Sequence, residues 1–321
     1  MSDVIAQPVL RRRASARGAI LSTLFEWLCF GAASALLAAL AGLLVSLLIG
    51  GWPALHKFGF SFLTVSTWNP VTDVYGAAGP IVGTLVTAGL ALALALPIAG
   101  GVAFFLTELC PGPLRRPIGT AVELLAGIPS IVYGMWGLFV FAPLFAKYVQ
   151  LPLMTAAKPG SLLDTLTTGI PNGSGILPAS IILAIMILPF MAATLRDLLL
   201  TVPASVRESA YGLGATTMEV VLSVSLPYIR RGAIGAVMLG LGRALGETMA
   251  VTFIIGNSHG FPTSLFDSGS TIASTIANEF TEATSDMHLS ALIALGLVLF
   301  VITFVVLGLA RLLIGQQERR T

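Results

Sequence analysis

Charge is the scarcest property of this 321-residue chain: Asp, Glu, Lys and Arg make up only 10% of it, against 56% hydrophobic residues. That balance argues against a water-soluble globule and for membrane spans. Lysine is rarer still. The three present, Lys57, Lys147 and Lys158, follow His, Ala and Ala. A phosphate-cradling loop needs a Gly-Lys pair, so nucleotide hydrolysis must belong to another polypeptide. No basic run interleaved with aromatics exists, which leaves nucleic-acid binding without support. The two cysteines, Cys29 and Cys110, suit neither a disulfide framework nor a metal site. His56, His259 and His288 lie far apart without ligand spacing, so no metal or other cofactor is expected. The long apolar runs hold no His or Asp, which leaves an intramembrane enzyme without its chemistry.

What is abundant is hydrocarbon. A bilayer core of roughly 30 Å takes about 20 helical residues. Six stretches qualify: Trp27–Ile49, Pro80–Leu106, Leu124–Phe145, Ile176–Leu195, Ile234–Ile255 and Leu289–Ala310. The first follows Arg11, Arg12, Arg13 and Arg17 as a signal peptide would, but its uncharged run is too long for one. The expected fold is therefore all-α and polytopic, with six transmembrane helices. An even number of spans puts both termini on one side. Arg115, Arg116, Arg196, Arg207, Arg230, Arg231, Arg311, Arg319 and Arg320 join the N-terminal arginines there, and only the lysines fall opposite. The positive-inside rule makes that side cytoplasmic.

The expected organisation is a tail (1–26), a first helix (27–49), an external connection (50–79), a core of five helices (80–314) and a short tail (315–321). Residues 146–175 read as an extended loop, and Ile272, Ile276 and Phe280 as one face of a short helix. Pro97, Pro129 and Pro189 fall inside spans and predict kinks. Glu108 and Glu123 are expected to pair with Arg115 or Arg116. Asp164, Asp267, Glu279, Glu282 and Asp286 give the outer face negative character and read as solvated charges rather than as a dock for a binding protein, the alternative reading.

Residues 196–231 are too polar to span and too patterned for a slack loop. Pro203 opens a short helix that Gly212 and Gly214 end; Thr216 and Glu219 form a capping box for a second, which Pro227 stops. In the fifth apolar run, Arg243 and Glu247 stand at i and i+4, on one face of a helix rich in glycine and alanine. Gly242 and Gly246 would permit close helix approach. A charge at the bilayer centre costs roughly 2.5–3.5 kcal/mol on insertion scales. Two readings follow: an ion pair that fixes register, or a site on an anion path, where the planar guanidinium matches the oxygens of an oxyanion.

These segments resemble a known family. Glu208-Ser209-Ala210, three residues, Gly214, nine residues and Val224-Ser225-Leu226-Pro227 match the EAA motif of ABC-importer permeases, with Ser209 in place of the usual alanine. Gly240-Leu241-Gly242-Arg243-Ala244-Leu245-Gly246-Glu247-Thr248-Met249-Ala250-Val251 is similar to the signature of Pst phosphate importers. The following Thr252–Asn257 is closer to their C-type permease than to the A-type. Glu123–Gly134 also resembles a Pst stretch. The resemblance implies a type I ABC-importer permease fold and phosphate translocation near Arg243 and Glu247. It also implies coupling to an ATPase through Glu208, Ser209, Ala210, Gly214, Leu226 and Pro227. The partners it implies are a PstA-like second permease, a PstB-like ATPase dimer and a PstS-like periplasmic phosphate-binding protein. Importers of molybdate or sulfate, and a non-transporting scaffold, remain alternatives.

Overall fold

The computed structural model describes residues 16–318, and the side chains of 22–312. Arg11, Arg12, Arg13, Arg319 and Arg320 lie outside the described residues, as does the side chain of Arg17. Among the described residues, six helices are long and apolar enough to cross a membrane: Ser22–Phe58, Ala78–Leu109, Ser130–Ala156, Ile176–Leu200, Thr217–Leu245 and Asp286–Leu312. By packing, the chain divides into two units, residues up to Ile49 and residues from Gly50 onward. In the first unit, leucines and aromatics such as Trp27, Phe30 and Leu36 are exposed, as suits a helix that meets lipid.

The second unit is built on the second and fourth spans. Ala88, Ala91, Ala95, Ala99 and Ala103 recur at helical spacing and are all buried, and Ile182, Leu183, Met186 and Ile187 of span four share their core. Hydrocarbon solvent supplies no drive to bury leucine, so small residues that let backbones approach hold such pairs together. At one end of this unit, Gly51 sits against Ala294, and the Ala54 amide donates to Ser290 Oγ at 3.0 Å.

Prolines behave unlike the sequence expectation. Three π-helical turns, Gly137–Phe141, Ala146–Gln150 and Val221–Ser225, each end two residues before a proline: Pro143, Pro152 and Pro227. A proline lacks an N–H and its ring crowds the carbonyl four residues back. In each case that carbonyl lies within the π turn, whose wider winding relieves the clash. Pro227 therefore does not stop a helix. The chain continues from Thr217 through the π turn into Leu226–Leu245. The third span likewise runs on to Ala156, with Lys147 inside it, where the sequence suggests a loop from 146. Pro129 precedes Ser130–Trp136 instead of kinking a span. Leu124 and Leu125 belong to a separate helix, Gly112–Ala126, which packs against span four.

The end of the second unit where Ala54 and Ala294 pack also carries a two-stranded hairpin, Trp68–Asn69 with Val74–Tyr75, and the short helix Ile272–Glu279. Their hub is Glu279. One oxygen meets His259 Nε2 at 2.7 Å; the other meets His288 Nε2 at 2.8 Å and accepts from the Trp68 indole at 2.7 Å. Trp68 stacks on His259 and Tyr75 on His288. Glu279 is thus a structural acceptor and not a solvated charge, and Asp267 similarly accepts from the Thr263 and Ser264 amides. Burial would push the Glu279 carboxyl up, but hydrogen bonds from His259, Trp68 and His288 outweigh it and hold the group below the ordinary carboxylate range.

Candidate functional site: a broken fifth span and the segment that leads into it

The apolar run Ile234–Ile255 is not one helix. Leu226–Leu245 ends at Gly246, whose φ of −92° and ψ of 2° leave the helical range, and a single turn, Met249–Thr252, follows. Arg243 sits in the last turn before the break and Glu247 just past it. Among the described residues no ion pair joins them, which corrects the expectation of an i, i+4 pair on one helix face. Glu247 instead accepts from the Ala250 amide at 3.2 Å, satisfying one of the orphan N–H donors of the short turn. The Arg243 guanidinium lies 5.7 Å from the centre of the Phe190 ring, within cation–π reach. It is half-buried, and among the described residues no carboxylate pairs with it.

Irregular backbone at membrane depth persists only where protein covers it or a cavity hydrates it. Here part of the cover is Gly134. A Cβ there would lie 2.7 Å from Phe253 Cδ2 and 3.0 Å from the Met249 carbonyl, so only glycine admits the third span this close to the broken segment. The two Pst-like stretches, 123–134 and 240–251, thus meet in space. Gly242 and Gly246, by contrast, mediate no close helix approach: a Cβ at Gly242 would find its nearest neighbour, Leu307, at 3.8 Å. Gly240 is the tight position, against Met191.

The arginine-rich end carries the EAA segment. Ala204–Gly212 forms a helix, Gly214 turns the chain at φ +90°, and the Thr216/Glu219 capping box starts the next helix, with the Thr216 amide donating to Glu219 Oε2 at 2.8 Å. Glu208, Ser209, Gly214, Leu226 and Pro227 are exposed and Ala210 is half-buried. Leu213, 90% exposed in so polar a stretch, adds an apolar knob that motif spacing alone does not single out.

Two ion pairs at this end differ from the expected ones. Glu123 binds Arg196 at 2.6 Å, and Glu108 binds Arg207 at 2.9 Å; neither meets Arg115 or Arg116. Arg207 was the residue easiest to miss, because its partner lies 99 positions away.

Comparison with known proteins closes the description. Residues 99–316 match the family described as "Binding-protein-dependent transport system inner membrane component". The phosphate transport system permease protein PstC of Mesorhizobium japonicum is 54% identical over 308 residues, covering 95% of this chain and 93% of that one. PstC of Pasteurella multocida is 56% identical over 281 residues, 88% of each chain. Among solved structures, a bacterial alginate ABC transporter bound to its periplasmic protein aligns with a TM-score of 0.58 at 16% identity, covering 90% of this chain and 94% of that one. The MetNI methionine transporter aligns with a TM-score of 0.53 at 16% identity, over 79% and 99%. These two show a shared all-α importer fold. The chain belongs to the binding-protein-dependent inner-membrane transport components and, among them, to the PstC permeases.

Proposed function

We infer that this chain is a permease subunit of an ATP-driven importer of inorganic phosphate. Its identity with PstC permeases over nearly its whole length carries that reading, and the chain itself has no ATPase motif. Phosphate passes near Arg243, whose fork is not engaged by Glu247 and can take two oxygens of a tetrahedral oxyanion. Glu247, just beyond the break, keeps the empty path near neutral. The break places the charge at the end of a helix and not along a sealed one, as in transporters that bind substrate at interrupted helices.

A PstA-like second permease completes the path, a PstS-like protein delivers phosphate, and a PstB-like ATPase dimer docks on Glu208, Ser209, Ala210, Gly214, Leu226 and Pro227. Both termini face the cytoplasm of a bacterium. The exposed Leu213 supports docking, since an apolar side chain 90% exposed in so polar a stretch gains nothing from water.

Uptake of labelled phosphate by the reconstituted complex, with sulfate and molybdate as competitors, tests the assignment. Competition by excess unlabelled phosphate alone is the expected result. Uptake driven by sulfate or molybdate instead would replace the substrate while leaving the permease family in place.

A further inference from the structure

The helix Ala204–Gly212 leaves span four through a three-residue turn, Thr201–Pro203, in which Val202 is buried in the core and Pro203 has its φ locked, so one end of the helix is already seated on span four. One turn into the helix, Arg207 Nη1 bonds Glu108 Oε1 at 2.9 Å. Glu108 lies on the second span, not the fourth, so the pair ties the same helix to a second support. It is little exposed: the Glu108 side chain keeps 9% of its surface and that of Arg207 21%. Glu108 reaches the helix because span two ends in a π-helical turn, Phe105–Leu109. One extra residue in a turn swings the side chains beyond it by roughly 100° around the axis. Beneath, Ala99 and Ala103 lock span two onto span four, so both supports stand on one packed body. Among the described residues, no ion pair ties the helix at its other end. Gly214 sits at φ +90° with no atom within 4 Å of where a Cβ would be.

From this we infer that Arg207 and Glu108 form a brace, positioning residues that make the EAA helix move as one body with spans two and four. The joint at Gly214 then takes up the movement, and displacement of the docked helix shifts the second and fourth spans against the fifth, which carries Arg243. The brace stays closed through the transport cycle. This deepens the phosphate-import reading and rests on it.

The test uses the full complex, with its second permease, ATPase and binding protein, in liposomes. Phosphate moved per ATP hydrolysed is compared for wild type, Glu108→Gln, Arg207→Gln and the exchanged pair Glu108→Arg with Arg207→Glu. The single variants should keep hydrolysing ATP while the ratio falls several-fold, and the exchange should recover it. An unchanged ratio in assembled single variants would overturn the brace. Because a single variant can fail to assemble, a second arm places Glu108→Cys and Arg207→Cys in a chain with Cys29→Ser and Cys110→Ala. Unbridged, this chain should show the lowered ratio of the single variants, and bridging the two thiols through disulfides with a short bis-methanethiosulfonate should raise it toward wild type. Arrest on bridging, reversed by reductant, would show that the pair must part in each cycle and would overturn the inference. Failure of the phosphate assignment itself shows in the wild-type complex, before any variant is compared.

Discussion

Arg243 and Glu247 are four residues apart, yet they do not pair: the helix bearing Arg243 ends at Leu245, and the Glu247 carboxylate accepts from the Ala250 amide at 3.2 Å. The guanidinium is left over the Phe190 ring at 5.7 Å. An ion pair holding helix register would have used both charges on each other. The separation favours a role for Arg243 toward a third party.

Replacing Arg243 should therefore stop transport without stopping assembly. Loss of charge-assisted hydrogen bonds worth about 1.5–3 kcal/mol predicts a fall in uptake of roughly ten- to a hundredfold for Arg243→Ala. Arg243→Lys should be nearly as poor, since a point charge cannot reproduce the fork. Labelled-phosphate uptake at matched complex levels decides it, and full uptake by Arg243→Ala would remove the residue from the path.

Gly134→Ala tests the seat of the broken segment. Its Cβ would press on Phe253 at 2.7 Å and on the Met249 carbonyl at 3.0 Å, overpacking that costs about 1–3 kcal/mol. Gly127→Ala is the matched control, with its nearest atom at 3.4 Å. Thermal unfolding in detergent should separate the two variants; equal midpoints would mean the third span can yield without cost.

At the EAA segment, Gly214→Val should uncouple ATP hydrolysis from uptake. The position has open space, so the effect must come from φ +90°, which a β-branched residue adopts only under strain of about 1–3 kcal/mol. Glu208→Trp should do the same by blocking the docking surface. Coupling ratios equal to wild type in both would argue that this face does not meet the ATPase.

The hub around Glu279 gives the chain a pH signature. Glu279 has a depressed folded-state value, so its contribution is present above the ordinary carboxylate range and is lost as pH falls through that lower value. Tyr75 runs the other way. Burial pushes its phenol up to about 12, so its contribution is full below the ordinary phenol value and is lost as pH rises toward that point. Unfolding measured against pH should show both limbs. Tyr75→Phe should flatten the alkaline one and Glu279→Gln the acid one; limbs that survive both changes would place the titration elsewhere.

Several features were open to reading before any coordinates. The six spans follow from hydrocarbon thickness, and the Thr216/Glu219 cap from a local rule that acts over three residues. The EAA spacing belongs to one continuous stretch. Pro227 reads as a stop from sequence, yet the π winding before it takes up the clash and the helix runs on; the π turn Phe105–Leu109, also two residues before a proline, ends at the extended Cys110, so local sequence does not tell the two outcomes apart. The ion pairs of Glu108 and Glu123 were misassigned because nearest-in-sequence arginines were favoured over Arg207 and Arg196, which only helix packing brings near.

Hydrophobicity, charge asymmetry and motif spacing are summed or local properties, so the chain's order alone determined that it lies in a membrane, how often it crosses and which family it joins. Where Arg243 points, which carboxylate each arginine meets, and that His259, His288 and Trp68 share Glu279 depend on side chains from distant segments meeting within about 3 Å. Those meetings are set by the alanine seam between spans two and four and by glycines such as Gly134, and only the tertiary structure decided them.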